Sequence, residues 1–132
     1  QPPGVPARLV VRLGGQVAPG TEALMMEAHN VQAQGGGARA CKLRCQRGKE
    51  AALWQEAVGA HATLLAGTDR FAAAALVGGA VMTWSAAGRR LLPPLQLDAD
   101  VAFLAAGVNH RLLAATTTGA LHLWDLERQQ CL

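Results

Sequence analysis

Two stretches of the sequence, offset by 40 residues, decide the fold. Residues 67–85 read GTDRFAAAALVGGAVMTWS, and residues 107–125 read GVNHRLLAATTTGALHLWD. Laid over each other without gaps, they place Trp84 on Trp124. A period of about 40 residues with Trp closing each unit is the spacing of WD-type propeller blades. The sequence therefore predicts an all-β fold of WD-repeat, β-propeller-like antiparallel blades.

Each unit follows the order expected for a blade: a strand, a tight turn, a second strand, then Trp and a polar turn. Gly79 and Gly119 occupy the predicted hairpin turns, where a positive φ is tolerated by glycine. Ala72–Ala75 has helix propensity but no amphipathic pattern, so the period favours a strand there. For Glu50–Ala57, helix propensity competes with a strand centred on Trp54, and both interpretations stay open.

Length and composition predict one folded domain. The chain has 132 residues, of which 51% are hydrophobic and 16% charged, enough apolar surface for a core. We expect a linker-like segment over 1–22, with one short edge strand at Leu9–Leu13, and a blade domain over 23–132. About three blades fit in this length, fewer than the four of the smallest closed propellers, so we expect a fragment of a larger domain.

Charge and cysteine content set weaker limits. A net charge of +3 is too small to indicate nucleic-acid binding by itself. Three cysteines and no secretory pattern favour a reducing compartment, cytosol or nucleus. No apolar stretch approaches the roughly 18 residues of a membrane span, so no membrane association is expected.

A family resemblance rests on the segment between the two units. Gly88–Pro94 reads GRRLLPP and is followed by an apolar strand and by a blade that ends in Trp124-Asp125. In this order the chain resembles the carboxyl-terminal Hira (Tup-like enhancer of split) domain of the Hira histone-chaperone family, over roughly 31–132. It departs from the family in the alanine-rich strand at Ala72–Ala75 and at Gly78, where the family often has an acidic residue.

The resemblance implies a non-catalytic scaffold domain of a nuclear histone-chaperone complex. That complex acts in replication-independent nucleosome assembly and in transcriptional regulation, including repression. The partners implied are a second copy of the chain, as a homo-oligomer that is a trimer in the family, other subunits of the complex, and histones indirectly. From spacing alone the chain is a WD-like repeat module, which usually presents surfaces to other proteins.

One segment is the candidate interaction element. Proline cannot donate to a β-ladder, so the two prolines must leave the sheet or lie on its edge. An extended segment with two arginines and two leucines suits partner docking, and a rigid connector between strands is an equally good interpretation. The candidate residues are Arg89, Arg90, Leu91, Leu92, Pro93 and Pro94.

A basic cluster provides the alternative function, a chromatin or nucleic-acid-binding module. Its residues are Arg39, Lys42, Arg44, Arg47 and Lys49. On a strand, Lys42 and Arg44 share one face and suit contact with DNA phosphates. An ordinary solvated face is the competing interpretation, favoured by the absence of tyrosine and of stacking aromatics nearby.

The remaining reactive residues give no catalytic, cofactor or metal site. Ser85, the only serine, lacks the Gly-x-Ser-x-Gly context of a nucleophile. Cys41 and Cys45 would lie about 13 Å apart on a strand, too far for one zinc ion, and suit small core residues better. Asp98 and Asp100 are expected to be charged residues at a solvated strand edge. The four histidines are scattered singly. We therefore expect no enzyme and no cofactor.

Overall fold

The part of the chain that the structure describes folds into three antiparallel β-sheets of four strands each. The computed structural model describes residues 7–13, 24–32, 39–47, 52–107, 109–128 and 130–131, without the side chains of 32, 39, 130 and 131. Within these ranges no helix is long and apolar enough to cross a membrane. The all-β, WD-like fold predicted from the sequence is confirmed.

The first sheet contains the strands before residue 59. They are β1 (Arg8–Leu13), β2 (Leu24–Gln32), β3 (Arg39–Arg47) and β4 (Ala52–Val58), in that order across the sheet. The expected short strand near residue 9 is β1, and it lies at the sheet edge. The helical interpretation of residues 50–57 is wrong from residue 52 on, where the structure describes the chain. There β4 is a strand that contains Trp54, because pairing with β3 satisfies its backbone and buries alternate side chains.

The second and third sheets repeat the same meander. The second contains β5 (Ala62–Gly67), β6 (Phe71–Leu76), β7 (Ala80–Ser85) and β8 (Leu95–Gln96). The third contains β9 (Val101–Gly107), β10 (Arg111–Thr116), β11 (Leu121–Asp125) and β12 (Gln130–Cys131). β10 begins and ends 40 residues after β6, as the repeat predicts.

The hairpin turns sit where the glycines predicted them. Gly79 and Gly119 have φ values of 91° and 93°, in the left-handed region that favours glycine. Both adopt this geometry at the tip between the second and third strands of their sheets. The boundary proposed at residue 22 stays a prediction, since much of the chain around it, including Gly35–Gly37, lies outside the described residues.

Hydrophobic cores lie between consecutive sheets. The first joins Met26 and Leu43 to Ala74 and Trp84, and so holds the first sheet against the second. The other core holds the second sheet against the third. The first strands of the sheets also contact each other, β1 with β5 and β5 with β9, as blades do around a common axis.

The position of β6 between these cores explains its alanines. Ala72 and Ala74 face the first sheet, while Ala73 and Ala75 face the third. Every residue of Phe71–Leu76 is buried. A strand covered on both faces at this close spacing accepts small side chains, and this tertiary packing outweighs the helix propensity of alanine.

Candidate functional site

The candidate interaction element, Gly88–Pro94, connects β7 to β8. Its first half runs beside β7: Arg90 pairs with Trp84, and the Leu91 N–H donates to the carbonyl of Thr83 at 3.1 Å. The chain leaves this pairing before Pro93 and Pro94, as their missing N–H groups require. The segment is therefore held to the sheet on both sides of the two prolines, by Arg90 and Leu91 before them and by the pairing of β8 with β7 after them.

Gly88 packs closely against Trp54 of the first sheet. Its φ is +91°, and a β-carbon at this position would lie 2.5 Å from Cγ of Trp54. Trp54 in turn stacks on Trp84, with ring centroids 5.5 Å apart. A side chain at residue 88 would push the indole of Trp54 off that of Trp84, so glycine is needed for both conformation and space.

Arg90 and Trp84 share one carboxylate. Trp84 Nε1 donates to Oε1 of Glu56 at 3.1 Å, and Arg90 Nε donates to Oε2 at 3.1 Å. Burial acts to raise the pKa of Glu56, but the hydrogen bonds from Arg90 and Trp84 outweigh it and hold that pKa below its ordinary value. Because Glu56 lies on β4, this network ties the first sheet to the second.

The structure thus gives different surroundings to the residues of the candidate element. Arg90 is engaged with Glu56, and Leu91 and Leu92 are half-buried against the core between the second and third sheets. Arg89, Pro93 and Pro94 are exposed. The exposed surface of the element consists of these three residues and of the part of Arg90 that its ion pair leaves open.

The basic cluster lies on the first sheet. Lys42 and Arg44 are on the same side of β3, facing away from the second sheet, as alternation predicts. Arg47 is exposed at the end of that strand. Lys49 and the side chain of Arg39 lie outside the described residues.

Strand pairing adds residues that sequence analysis did not connect to this cluster. The register places Arg8 across β2 from Lys42, and Arg12 lies on the same face. Glu27 sits between these cations and accepts a hydrogen bond from Arg8 Nε at 2.8 Å. This bond, against the opposing effect of burial, lowers the pKa of Glu27. The registers of β1 with β2 and of β2 with β3 together reveal this grouping, and no linear motif signals it.

The reactive side chains have separate surroundings. Cys41 and Cys45 are buried on the core side of β3, and burial raises the pKa of both thiols. The Ser85 hydroxyl accepts the Arg89 N–H in a turn. Asp100 accepts the N–H of Gly78 at 2.7 Å, so it supports a hairpin tip. Among the described residues, no group of three or more His, Cys, Asp and Glu could hold a metal ion.

The histidines make unrelated contacts. His61 Nε2 lies 3.2 Å from the carbonyl of Val31, His110 stacks on Phe71, and His122 stacks on Trp124. Each contact belongs to a different part of the fold. They form no common site in the part of the chain that the structure describes.

Comparison with known proteins finds a matching family model and similar full-length relatives. The family model described as Hira, TUP1-like enhancer of split, matches residues 88–132, so the match begins at Gly88. The HIRA protein of Oryza sativa subsp. japonica is 31% identical over 99 residues, covering 73% of this chain and 10% of its own length. Protein HIR1 of Gibberella zeae is 39% identical over 79 residues, 60% of this chain and 8% of the relative.

Solved structures extend the similarity to nearly the whole chain. The crystal structure of HIRA(644-1017) superimposes with a TM-score of 0.78 and 25% identity, over 98% of this chain and 40% of that one. A computationally designed protein, Ika8, shares the fold alone, with a TM-score of 0.58 and 15% identity over 78% of this chain. The chain spans about a tenth of the length of the curated relatives it matches. On its repeats, on the GRRLLPP segment and on these comparisons, the chain belongs to the Hira family.

Proposed function

We propose that the chain is a non-catalytic scaffold domain of a nuclear histone-chaperone complex that serves replication-independent nucleosome assembly and transcriptional regulation. The observation that carries this proposal is the match to HIRA(644-1017) over 98% of the chain. In this role the domain self-associates, as a homo-oligomer such as a trimer, binds other subunits of the complex, and reaches histones indirectly. It needs no cofactor.

Within Gly88–Pro94, some residues contact the first sheet and others are exposed, and this difference supports the proposed role. Arg90 and Gly88 hold two sheets together, which gives the exposed Arg89 and the two prolines a fixed position relative to the blades. A segment that is held to the sheet at both ends loses less conformational entropy on binding a partner than a free loop would. We therefore assign partner binding to Arg89, Pro93 and Pro94.

The self-association part is tested by the solution mass of the chain, measured by light scattering after gel filtration at two salt concentrations. A discrete oligomer at both concentrations is expected, because apolar contacts are little screened by salt. A monomer at both would contradict self-association by this chain. The subunit-binding part is tested by Arg89→Glu, which should weaken capture of the other subunits and leave the unfolding midpoint unchanged.

A second candidate function, contact with DNA, is favoured by the outward face of the first sheet. Arg8, Arg12, Lys42 and Arg44 lie together there. Glu27 reduces the net positive charge of this face. The face is thus suited to weak phosphate contact rather than to sequence readout.

A salt series on duplex DNA separates this function from the scaffold role. If three phosphates are neutralised, affinity should fall about 40-fold between 50 and 200 mM salt. Lys42→Glu should weaken binding further, whereas Arg70→Glu, the same charge change at an exposed turn outside this face, should have less effect. A DNA affinity that does not respond to salt would exclude the phosphate-contact function.

A further inference from the structure

A cleft crosses one end of the second and third sheets, where turns of both sheets meet. It has two parts, with volumes of about 380 and 500 Å³. The two parts share Asp69, Arg70 and His110 in their walls, so they form one continuous channel. We call it the turn cleft, and its walls are the turns at 68–70, 85–89 and 109–110, together with Gly107 and Glu127.

His110 lies where the two parts of the cleft meet. Its imidazole stacks on Phe71, with ring centroids 6.2 Å apart, and Phe71 is only 1% exposed. The carbonyl of His110 accepts the N–H of Leu126 at 2.8 Å, which joins this turn to the next turn of the third sheet. A half-buried aromatic ring on a fixed backbone thus forms the base of the cleft.

The backbone of this turn is strained. Asn109 and His110 have φ values of 62° and 58°, and they are the non-glycine residues with positive φ in the part of the chain that the structure describes. Glycine would adopt this conformation at no steric cost, but it would leave Phe71 without its imidazole cover. Strain of this kind clusters at binding and active sites, where a side chain is needed in a set position.

Charged side chains of both signs surround this ring without pairing with one another. Arg89 lines only the second part of the cleft and Glu127 only the first, so the cleft has a cationic end and an anionic end. Asp69 and Arg70 lie between them, and all four side chains are exposed. Among the described residues, none of the four makes an ion pair or a side-chain hydrogen bond. Their charges are therefore open to a ligand.

We propose that the turn cleft binds an extended peptide segment of a partner protein, with an acidic side chain at Arg89 and a basic side chain at Glu127. The stretch between these two side chains packs on the ring of His110. This proposal deepens the subunit-binding role proposed above and rests on it, because Arg89 belongs to both.

The two charged ends of the cleft discriminate among ligands. A nucleic-acid backbone or a wholly acidic segment would bring negative charge against Glu127 and Asp69, and a wholly basic segment would meet Arg89 and Arg70. A segment that carries both signs pairs at both ends. The walls of a cleft strengthen this pairing relative to an open surface, because they focus the field of the charges that line them.

The test measures the binding of short labelled peptides to the full 132-residue chain by fluorescence anisotropy. Each peptide is neutral with one Leu at its centre, apart from one Lys and one Glu that are about two to five residues apart in an extended chain. The comparison peptides carry two Lys, two Glu or two Gln at the same positions. We expect the best Lys–Glu peptide to bind about fivefold or more tightly than any comparison peptide, because each comparison peptide loses at least one ion pair. NMR amide shifts should map to the turns at 68–70, 85–89 and 109–110.

Glu127→Lys makes both ends of the cleft cationic. It should weaken binding of the Lys–Glu peptides about fivefold or more and make the two-Glu peptides the tighter ligands. A loss of folding cannot produce such a reversal. Asp98→Lys is the matched control, because it makes the same charge change at an exposed residue near the opposite end of the second sheet, and it should leave the preference unchanged.

His110→Asn removes the ring and keeps a residue type that tolerates a positive φ. It should weaken binding of the Lys–Glu peptides but keep the preference for them over the comparison peptides, because packing on the ring does not depend on charge. An unchanged affinity would contradict the role of the ring as the base of the site.

No binding of the Lys–Glu peptides, or equal binding of all peptides, would overturn the proposal. A Glu127→Lys variant with the same preference as the parent chain would overturn it as well. Subunit binding is tested separately by Arg89→Glu. If that substitution weakens subunit capture while the peptides fail to bind, the scaffold role stands and the turn cleft is not its site.

Discussion

Gly88 and Trp54 are packed so closely that a β-carbon at residue 88 would overlap the indole, 2.5 Å from its Cγ atom. The glycine also has a φ of +91°. Gly88→Ala should therefore destabilise the chain by about 2–4 kcal/mol, from backbone strain and from displacement of Trp54. The measurement is the free energy of unfolding in urea.

Gly78→Ala is the control for this substitution. Gly78 has a similar φ of +96°, but a β-carbon there would meet nothing within 4 Å. It should lose about 1 kcal/mol from backbone conformation alone. Equal losses at the two positions would mean that contact with Trp54 contributes nothing.

Arg90 and Arg89 are neighbours with different surroundings, and a pair of substitutions compares their contributions to stability. Arg90→Met removes the guanidinium that bonds Glu56 across two sheets. Because this ion pair is partly exposed, the expected loss of unfolding free energy is about 1 kcal/mol. Arg89→Met should change stability by less than about 0.5 kcal/mol, as for most exposed sites. A greater loss for Arg89 would contradict this expectation.

Acid should weaken the contact between the first two sheets through Glu56. The ordinary carboxyl pKa is 4.5, and the folded pKa of Glu56 lies below it because the bonds from Arg90 and Trp84 outweigh burial. Ionised Glu56 thus contributes stability that is complete above pH 4.5 and is lost as pH falls through the folded pKa. Glu56→Gln should be less stable than the parent chain at neutral pH, and this difference should shrink below pH 4.5.

The measurement is the unfolding free energy of the parent chain and of Glu56→Gln from pH 7 to pH 3. Glu27→Gln is a useful comparison, since the pKa of Glu27 is also lowered, through Arg8 on the outward face. Its stability difference should shrink in the same pH range. A difference between the parent and Glu56→Gln that stays constant with pH would show that the carboxylate charge has no role.

The repeat predicts the second and third sheets because its spacing reports directly on strand and turn positions. Gly79 and Gly119 mark the hairpin turns of these sheets, and Trp84 and Trp124 mark the strands that follow those turns. The first sheet is less predictable, because the 40-residue repeat does not extend into it: the positions 40 residues before Gly79 and Trp84 hold arginines. The residues around Trp54 also favour a helix by propensity alone. There, pairing with β3 overrides local propensity.

The candidate site is only partly predictable from the sequence, because several of its side chains meet through contacts between strands and sheets. The sequence marks Arg90 as a candidate interaction residue, but its partner Glu56 lies 34 residues earlier. The sequence leaves open whether the segment around Glu56 is a helix or a strand. Likewise, Arg8 joins the face of Lys42 only through β2. Such neighbours follow from sheet register and blade packing, which a single sequence does not encode in any local motif.

Asn30 makes another contact between sheets that the sequence did not signal. Its Nδ2 donates to the carbonyl of Ala62 at 2.9 Å, and its Oδ1 accepts the N–H of Ala62 at 2.8 Å. One amide side chain thus satisfies both backbone groups of a residue that is fully buried. In this way Asn30 joins β2 to the start of β5 as a strand would.

Asn30→Ala should leave the two backbone groups of Ala62 without these partners and destabilise the chain by about 2–4 kcal/mol. Urea unfolding measures the loss, and hydrogen exchange at the Ala62 amide should become faster. Gln55→Ala, which shortens an exposed amide side chain on β4, should cost less than about 0.5 kcal/mol. If Asn30→Ala is as mild as Gln55→Ala and exchange at Ala62 is unchanged, water replaces the side chain without loss and the contact does not hold the two sheets together.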